Sequence, residues 1–353
     1  MFLWVLHNAQ DWHAHLSVKI YEENDFPVSR ASAFISSPGT SMSSYSRTRA
    51  AGTDGQAYYE ATKERLAKIQ SHLANSPRGR RLQDKVCIVT GVGSLKGIGR
   101  ASALLYAHEG AKHLYLLDFD GTHLANLQET IQTQYPDVKA TVQQGDAADE
   151  ALISGLCQRA LKEEGRLDVF FANAGVATAT ALESTTSEEF MRVMRVNTLS
   201  TFLAVKHASA AMKVVNASRG KTGSGGSIIL TASVAGIRSG AGPIDYSASK
   251  AAVNSIAKTS VYQLQKTNIR VNSICPGLIE TGMTVETFDF ARKRGADAKI
   301  GQLNPLARYG VAEEIAQVAL FLASDESSYI NGQNVAVDGG LSASHPVVPG
   351  RWA

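Results

Sequence analysis

From Leu82 to about residue 341 the chain alternates short apolar runs with longer segments of helical period. Val86-Cys87-Ile88-Val89 is the first apolar run, the pattern of a strand buried on both faces. Further strands are predicted at 114–117, about 138–145, 167–171, 227–230, 269–274 and 334–337. Between them lie helical patterns: one through Ala101, Leu104 and Leu105 that ends at Gly110, then about 122–134, 149–164, 187–215, 245–265 and 312–323. Strands alternating with helices imply an α/β domain whose doubly wound parallel sheet, of about seven strands, is covered on both faces. Such sheets bind ligands at the carboxyl ends of their strands.

The flanks read differently. Over residues 56–75, Tyr59, Leu66, Ile69 and Leu73 fall on one helical stripe, with Lys63, Glu64 and Lys68 elsewhere on the wheel. Ser76-Pro77-Arg78-Gly79 ends that helix. It is expected to pack on the main body or on a neighbouring subunit. Residues 1–55 lack sustained periodicity, and Ser29 to Ser46 is rich in Ser, Ala, Gly and Pro, so this extension is expected to be disordered. The organisation is thus an extension (1–55), a helix and linker (56–81), the α/β domain (82–341) and a tail (342–353).

Composition narrows the function. With 44% hydrophobic and 19% charged residues in 353, the chain has the balance of a globular enzyme. No run approaches the ~18 apolar residues of a membrane span. Residues 1–81 carry ten Lys/Arg and seven Asp/Glu, leaving 25 of each in the rest, so the body has no electrostatic footprint for nucleic acid. Cys87, Cys157 and Cys275 fall in predicted strands or a helix and read as buried apolar residues in a reducing compartment. His7, His13 and His15 lack acidic or thiol partners at helical spacing, and no metal is expected. The location expected is cytoplasmic. Arg30, Arg47 and Arg49 among serines make a mitochondrial presequence the alternative, opposed by Asp11, Glu22, Glu23 and Asp25.

Two constellations carry chemistry. The first is Thr90-Gly91-Val92-Gly93-Ser94-Leu95-Lys96-Gly97-Ile98-Gly99, between a strand and a helix. Glycines there let backbone amides approach a pyrophosphate at the positive end of the helix. Asp118 closes the next strand, 19 residues after Gly99. A carboxylate at that point accepts hydrogen bonds from ribose hydroxyls and repels a 2′-phosphate, which favours NAD over NADP. Lys96 argues the other way, since it could meet that phosphate. The second constellation is Asp245-Tyr246-Ser247-Ala248-Ser249-Lys250. Tyr246 and Lys250 lie one helical turn apart. A phenol titrates near pH 10, too high for a general base, and an adjacent ammonium favours the phenolate.

Together these residues resemble the short-chain dehydrogenase/reductase family over residues 82–341. Its glycine motif is matched by Gly91, Gly97, Ile98 and Gly99, with five residues instead of the usual three between the first two glycines. Asp146 matches the adenine-contacting acid. Asn173-Ala174-Gly175 matches the motif that steadies the central strand and lines the cofactor cleft. Asn197 matches the helix asparagine that holds a water in the proton relay, and Ser233, 13 residues before Tyr246, matches the catalytic serine. Pro276-Gly277, with Ile279 and Thr281, matches the segment that holds the nicotinamide amide. Gly332-Gln333 and Val337-Asp338-Gly339-Gly340 match the closing strand.

The resemblance implies a Rossmann-like fold and hydride transfer between NAD(H) and a secondary alcohol or ketone. In it Tyr246 is the acid/base, Lys250 lowers its pKa and binds the nicotinamide ribose, Ser233 holds the substrate oxygen, and Asn197 links Lys250 to solvent. An NADP(H)-dependent ketoreductase and a non-catalytic cofactor-sensing protein are the alternatives. Residues 278–304 are expected to form a lid with an apolar side of Met283, Val285, Phe288 and Phe290, and with Arg292, Lys293, Arg294 and Lys299 as a solvated basic face. The small residues Ala235, Gly236, Ser239, Gly240, Ala241 and Gly242 suggest an open pocket floor. Helices after Ser187 and Asp245, rich in alanine, match family elements that form dimer or tetramer interfaces, so a homo-oligomer is expected.

Overall fold

The computed structural model describes residues 52–344. The expectations for residues 1–51, the three N-terminal histidines among them, and for the tail beyond Ser344 lie outside the described residues. The first helix, α1 (Gly52–Gln70), begins four residues before the segment expected to be helical, and α2 (His72–Asn75) follows it. Residues 52–55, expected to belong to the disordered extension, are therefore its first turn.

The α/β domain then runs β1 (Val86–Thr90), α3 (Ile98–His108), β2 (His113–Asp118), α4 (Leu124–Gln134), β3 (Lys139–Gln144), α5 (Glu150–Glu164) and β4 (Val169–Ala172). Its second half runs α6 (Ser187–Met194), α7 (Ser200–Met212), β5 (Gly226–Thr231), α8 (Ile244–Gln263), β6 (Ile269–Pro276), β7 (Ile279–Glu280), α9 (Val285–Lys293), β8 (Gly310–Val311), α10 (Ala312–Ala323) and β9 (Asn334–Val337). Seven strands form one sheet in the order β3-β2-β1-β4-β5-β6-β9, every pair parallel. The order reverses at β1, whose neighbours are β2 and β4, and a crevice opens above that switch point.

Strand alternation decides which helix covers which face. Cys87, Val89, Leu114, Leu116 and Phe171 point to one side, against α3, α4 and α10. Val86, Ile88, Tyr115, Leu117 and Phe170 point to the other, against α5, α7 and α8. Each such side chain, fully buried, stabilises the fold by about 1.5–3 kcal/mol relative to exposure. The three cysteines are free and buried in these layers. Local signals set helix ends: Asp149 accepts from Leu152 N at 3.2 Å, Thr186 Oγ1 accepts from Glu189 N at 3.1 Å, and Gly165 ends α5 in a left-handed turn.

One element departs from its pattern. The helix expected from Ser187 to about Val215 ends at Met212, and Arg195–Leu199 forms a π turn between α6 and α7. The extra residue in such a turn re-aims side chains, and it commonly marks a functional site. Among the described residues no helix is long and apolar enough to cross a membrane.

Candidate active site

A cavity of about 850 Å³ sits over the carboxyl ends of β1, β4, β5 and β6. Its wall on one side is the glycine loop. Gly91 has φ +76°, and a Cβ there would lie 2.8 Å from the backbone of Ala174. At Gly99 a Cβ would stand 2.2 Å from Gly91 O, so only glycine lets α3 approach β1 this closely. No side chain caps α3, whose first residue, Ile98, faces the cavity. Its first-turn amides and positive end are what a pyrophosphate requires.

Asp118, at the end of β2, lines the same cavity. Its Oδ2 accepts from Gly93 N at 2.6 Å and its Oδ1 from Asp120 N at 2.9 Å. A Cβ at Gly93 would lie 2.8 Å from this carboxylate. Gly93 is thus what fits the longer loop against Asp118, a role that the glycine spacing alone did not reveal. Asn173 ties the loop to the sheet: its Nδ2 donates to Gly91 O at 3.0 Å, and Thr231 Oγ1 donates to its Oδ1 at 3.0 Å. Thr90 Oγ1 accepts the amides of Asn173 and Ala174, both at 3.1 Å. Gly175, Pro276, Gly277, Ile279 and Thr281 line the cavity as expected, and Ala174 stands behind it. Asp146 does not reach the wall. Its carboxylate is held by Arg195 Nη1 at 2.5 Å and Ala148 N at 2.8 Å. This donor set, without a metal-ligand cluster among the described residues, fits a dinucleotide.

Ser233, Tyr246 and Lys250 meet on the opposite wall. Lys250 is buried, its Nζ 5.6 Å from the centre of the Tyr246 ring and donating to Thr231 O at 2.8 Å. Burial lowers its pKa to about 8. Burial also raises the Tyr246 phenol above its ordinary value, with the Ser233 hydroxyl pulling the other way. Desolvation disfavours the charged form of each group, which is the largest cause of both shifts in the bare protein. Ser233 Oγ accepts from Ala235 N at 3.1 Å, which leaves its own proton free to donate.

Asn197 is fully buried in the π turn, not on the cavity wall. Its Nδ2 donates to Val176 O at 2.9 Å and Ser249 Oγ at 3.0 Å, and its Oδ1 accepts from Val176 N at 2.8 Å. Ser249 Oγ in turn donates to Tyr246 O at 2.7 Å. Asn197 and Lys250 flank Gly175, where a Cβ would lie 3.1 and 3.2 Å from their side chains. Asp245 was quoted only as part of the tyrosine motif. It is buried, accepts from Thr178 Oγ1 at 2.8 Å and from Tyr246 N at 2.7 Å, and so fixes the start of α8.

Two expectations about the pocket are corrected. The lid is ordered around α9, and only Met283 and Val285 of its four apolar residues line the cavity. Phe288 is buried on the far side, and Phe290 is exposed, beneath Arg294 at 5.1 Å. Arg292 is exposed, as a solvated face implies, and it also lines the cavity and donates to Glu280 Oε1 at 2.8 Å. Lys96 reaches the same oxygen at 3.4 Å. Against burial, which pushes it up, Arg292 and Lys96 hold the Glu280 carboxyl below its usual range. The small residues after Ser233 do not form the floor. A Cβ at Gly236 would lie 2.6 Å from the Lys250 backbone, so there the missing side chain serves packing on α8, whereas Gly240 is exposed with open space around it.

A doubly wound sheet with a glycine loop, a strand-end acid and a Ser-Tyr-Lys set on one cavity defines a nicotinamide-dependent oxidoreductase. The family model described as Enoyl-(Acyl carrier protein) reductase matches residues 91–342. The chain is 36% identical to levodione reductase of Leifsonia aquatica over 276 residues, which are 77% of this chain and 99% of that protein. It is 38% identical to 3-oxoacyl-[acyl-carrier-protein] reductase FabG of Thermotoga maritima over 262 residues, 74% of this chain and 99% of that one. The crystal structure of levodione reductase superposes with a TM-score of 0.67 at 35% identity, covering 75% of this chain and all of the other. The chain belongs to the short-chain dehydrogenase/reductase family, oxidoreductases that act on alcohols and ketones with NAD(P).

Proposed function

We propose that this protein is an NAD-dependent dehydrogenase that interconverts a secondary alcohol and its ketone, with Tyr246 as the acid/base. The observation that carries this reading is the convergence of Tyr246, Ser233 and the glycine loop on one cavity. When bound, NAD(H) gives or takes the hydride. Tyr246 Oη delivers a proton to the ketone oxygen or removes one from the alcohol. Ser233 donates its free hydroxyl proton to that oxygen and stabilises the charge developing on it. Lys250, charged below about pH 8, favours the phenolate whenever the proton has left. Asn197 acts one layer back, holding Ser249 and Val176 so that α8 and the strand end keep their spacing.

Asp118 supports NAD over NADP. Its carboxylate stands at the end of β2, where a 2′-phosphate would meet a negative charge, and Lys96 is paired with Glu280. Exposed Leu199 and Phe202 at the start of α7, and Tyr262 on α8, support assembly as a homodimer or homotetramer.

The test is a panel of secondary alcohols and ketones with NAD(H), read at 340 nm, for the wild type and Tyr246→Phe. Turnover of at least one pair, reduced a hundredfold or more in the variant with nucleotide binding kept, is expected. Intact turnover without the phenol would overturn the assignment.

A further inference from the structure

The helix α1 lies upstream of the matched family segment, and the proposed chemistry makes no use of it. Its inward residues are Tyr59, Thr62, Leu66 and Ile69, at alternating steps of three and four. That spacing keeps one stripe against a neighbour along the length of the helix. Its neighbours are the lid, through Phe288 and the turn at 297–299, together with β8 and α10. Leu66 forms a small core with Phe288 of α9, Tyr309 and Val311, apart from the two layers that sandwich the sheet. Phe288 is fully buried, edge-on to Tyr309 at 4.9 Å. Two turns before Leu66, Tyr59 Oη donates to Asp297 Oδ2 at 2.5 Å, and Tyr58 Oη donates to Leu306 O at 2.7 Å.

The lid helix has a second face. Val285, Asp289 and Arg292 line the cavity. The Arg292 guanidinium lies 5.6 Å over the Phe288 ring and pairs with Glu280 on the cavity wall. A contact chain therefore runs from Leu66 through Phe288 and Arg292 to Glu280. The ring that Leu66 seats is the one on which the cavity's arginine rests. Removing the leucine side chain opens a cavity in the small core around Phe288, Tyr309 and Val311 and weakens the support of α9.

We infer that α1 buttresses the lid from outside the cavity: Leu66 and Tyr59 are positioning residues that hold α9 and the turn after it over the cavity and set the affinity for the ketone more than for the nucleotide. Under the proposed function the nucleotide's main cradle is the glycine loop and Asp118, on elements other than α9. This inference rests on the proposed function for the identity of the substrate, and on geometry alone for the coupling of helix to lid.

The test uses the full chain with Leu66→Ala, Leu66→Met and Tyr59→Phe. Hydrogen exchange is followed in residues 285–300, with α3 as the internal reference. KM and kcat are measured for cyclohexanone with NADH, and NADH affinity by fluorescence titration. In Leu66→Ala, lid exchange is expected to rise at least tenfold with α3 unchanged. KM for cyclohexanone should rise fivefold or more, with kcat within threefold and NADH affinity within twofold, and Leu66→Met should restore both. Unchanged lid exchange, a rise shared equally by α3, or faster lid exchange with unaltered KM would each overturn the inference. If Leu66→Ala does not fold, Tyr59→Phe, which deletes only the bond to Asp297, decides by the same readouts. If the wild type does not reduce cyclohexanone, KM is read on the ketone of the panel that it does reduce; if it reduces none, the proposed function fails and the exchange result alone decides the coupling of helix to lid.

Discussion

At the scale of single residues, the site is governed by desolvation. Tyr246 and Lys250 share one corner of the cavity, and burial displaces their titrations in opposite senses, the phenol upward and the ammonium down to about 8. Ketone reduction needs the phenol protonated, and alcohol oxidation needs it ionised. With the phenol raised, it stays protonated through neutrality, so reduction should be nearly independent of pH from 6 to 8. Oxidation should climb with pH over the same range, by up to about tenfold per unit. Profiles of kcat/KM in both directions check this, and a flat oxidation limb would contradict it. Asp118 gives the second residue-scale prediction. Asp118→Ala removes the charge that opposes a 2′-phosphate, but it also removes the acceptor for Gly93 N. Efficiency with NADP should rise at least tenfold while efficiency with NAD falls. An unchanged NAD/NADP ratio, measured by steady-state kinetics, would exclude the role given to this acid.

At the scale of elements, the far end of the sheet has its own charge cluster. Glu164, the last residue of α5, is 2% exposed in its side chain and meets Lys112 at 2.9 Å, Lys139 at 3.0 Å and His113 at 3.0 Å. It thereby ties α5 to the starts of β2 and β3. Against burial, which raises it, these partners bring the carboxyl down to about 2. A carboxyl whose pKa is lower in the folded than in the unfolded chain binds fewer protons there. Its stabilisation is complete above the unfolded value, near 4.5, and is lost as pH falls toward 2. The shift corresponds to about 3 kcal/mol at neutral pH. Glu164→Gln should lower Tm by roughly 5–10 °C at pH 7 and flatten the acid limb of stability, as seen by calorimetry across pH 2–7. The π turn makes a related point about legibility. The apolar period of residues 187–212 is continuous, and nothing in it marks where one extra residue enters. Within the turn Asn197 meets Val176, in the loop after β4, and Ser249 of α8, contacts that a local period cannot report.

At the scale of the whole molecule, Leu199 and Phe202 are exposed at the start of α7 and Tyr262 on α8, whereas Ala204, Ala208, Ala211 and Ala257 are spent inside. These four let the helices sit close to the sheet, while Ala210 and Ala251 stay exposed beside the larger residues and could share a subunit contact with them. Phe202→Asp should reduce the particle mass measured by sedimentation to that of a smaller species. A wild type that sediments as a monomer would remove the oligomer from the proposal.

The order of strands and helices, the glycine loop, the strand-end acid and the Ser-Tyr-Lys set were determined by the sequence itself. Each is a local pattern: a period, a turn requirement, or two side chains a helical turn apart, and local patterns survive without knowledge of what packs on them. Direction and partnership were decided only by tertiary structure. Whether Phe288 faces the cavity or α1, whether the exposed Arg292 meets Glu280 on the cavity wall, and whether Asp146 is bound by Arg195 depend on residues distant in the chain. So does the sense of the Tyr246 shift, because burial is a property of everything that surrounds a group and the spacing to one lysine cannot report it.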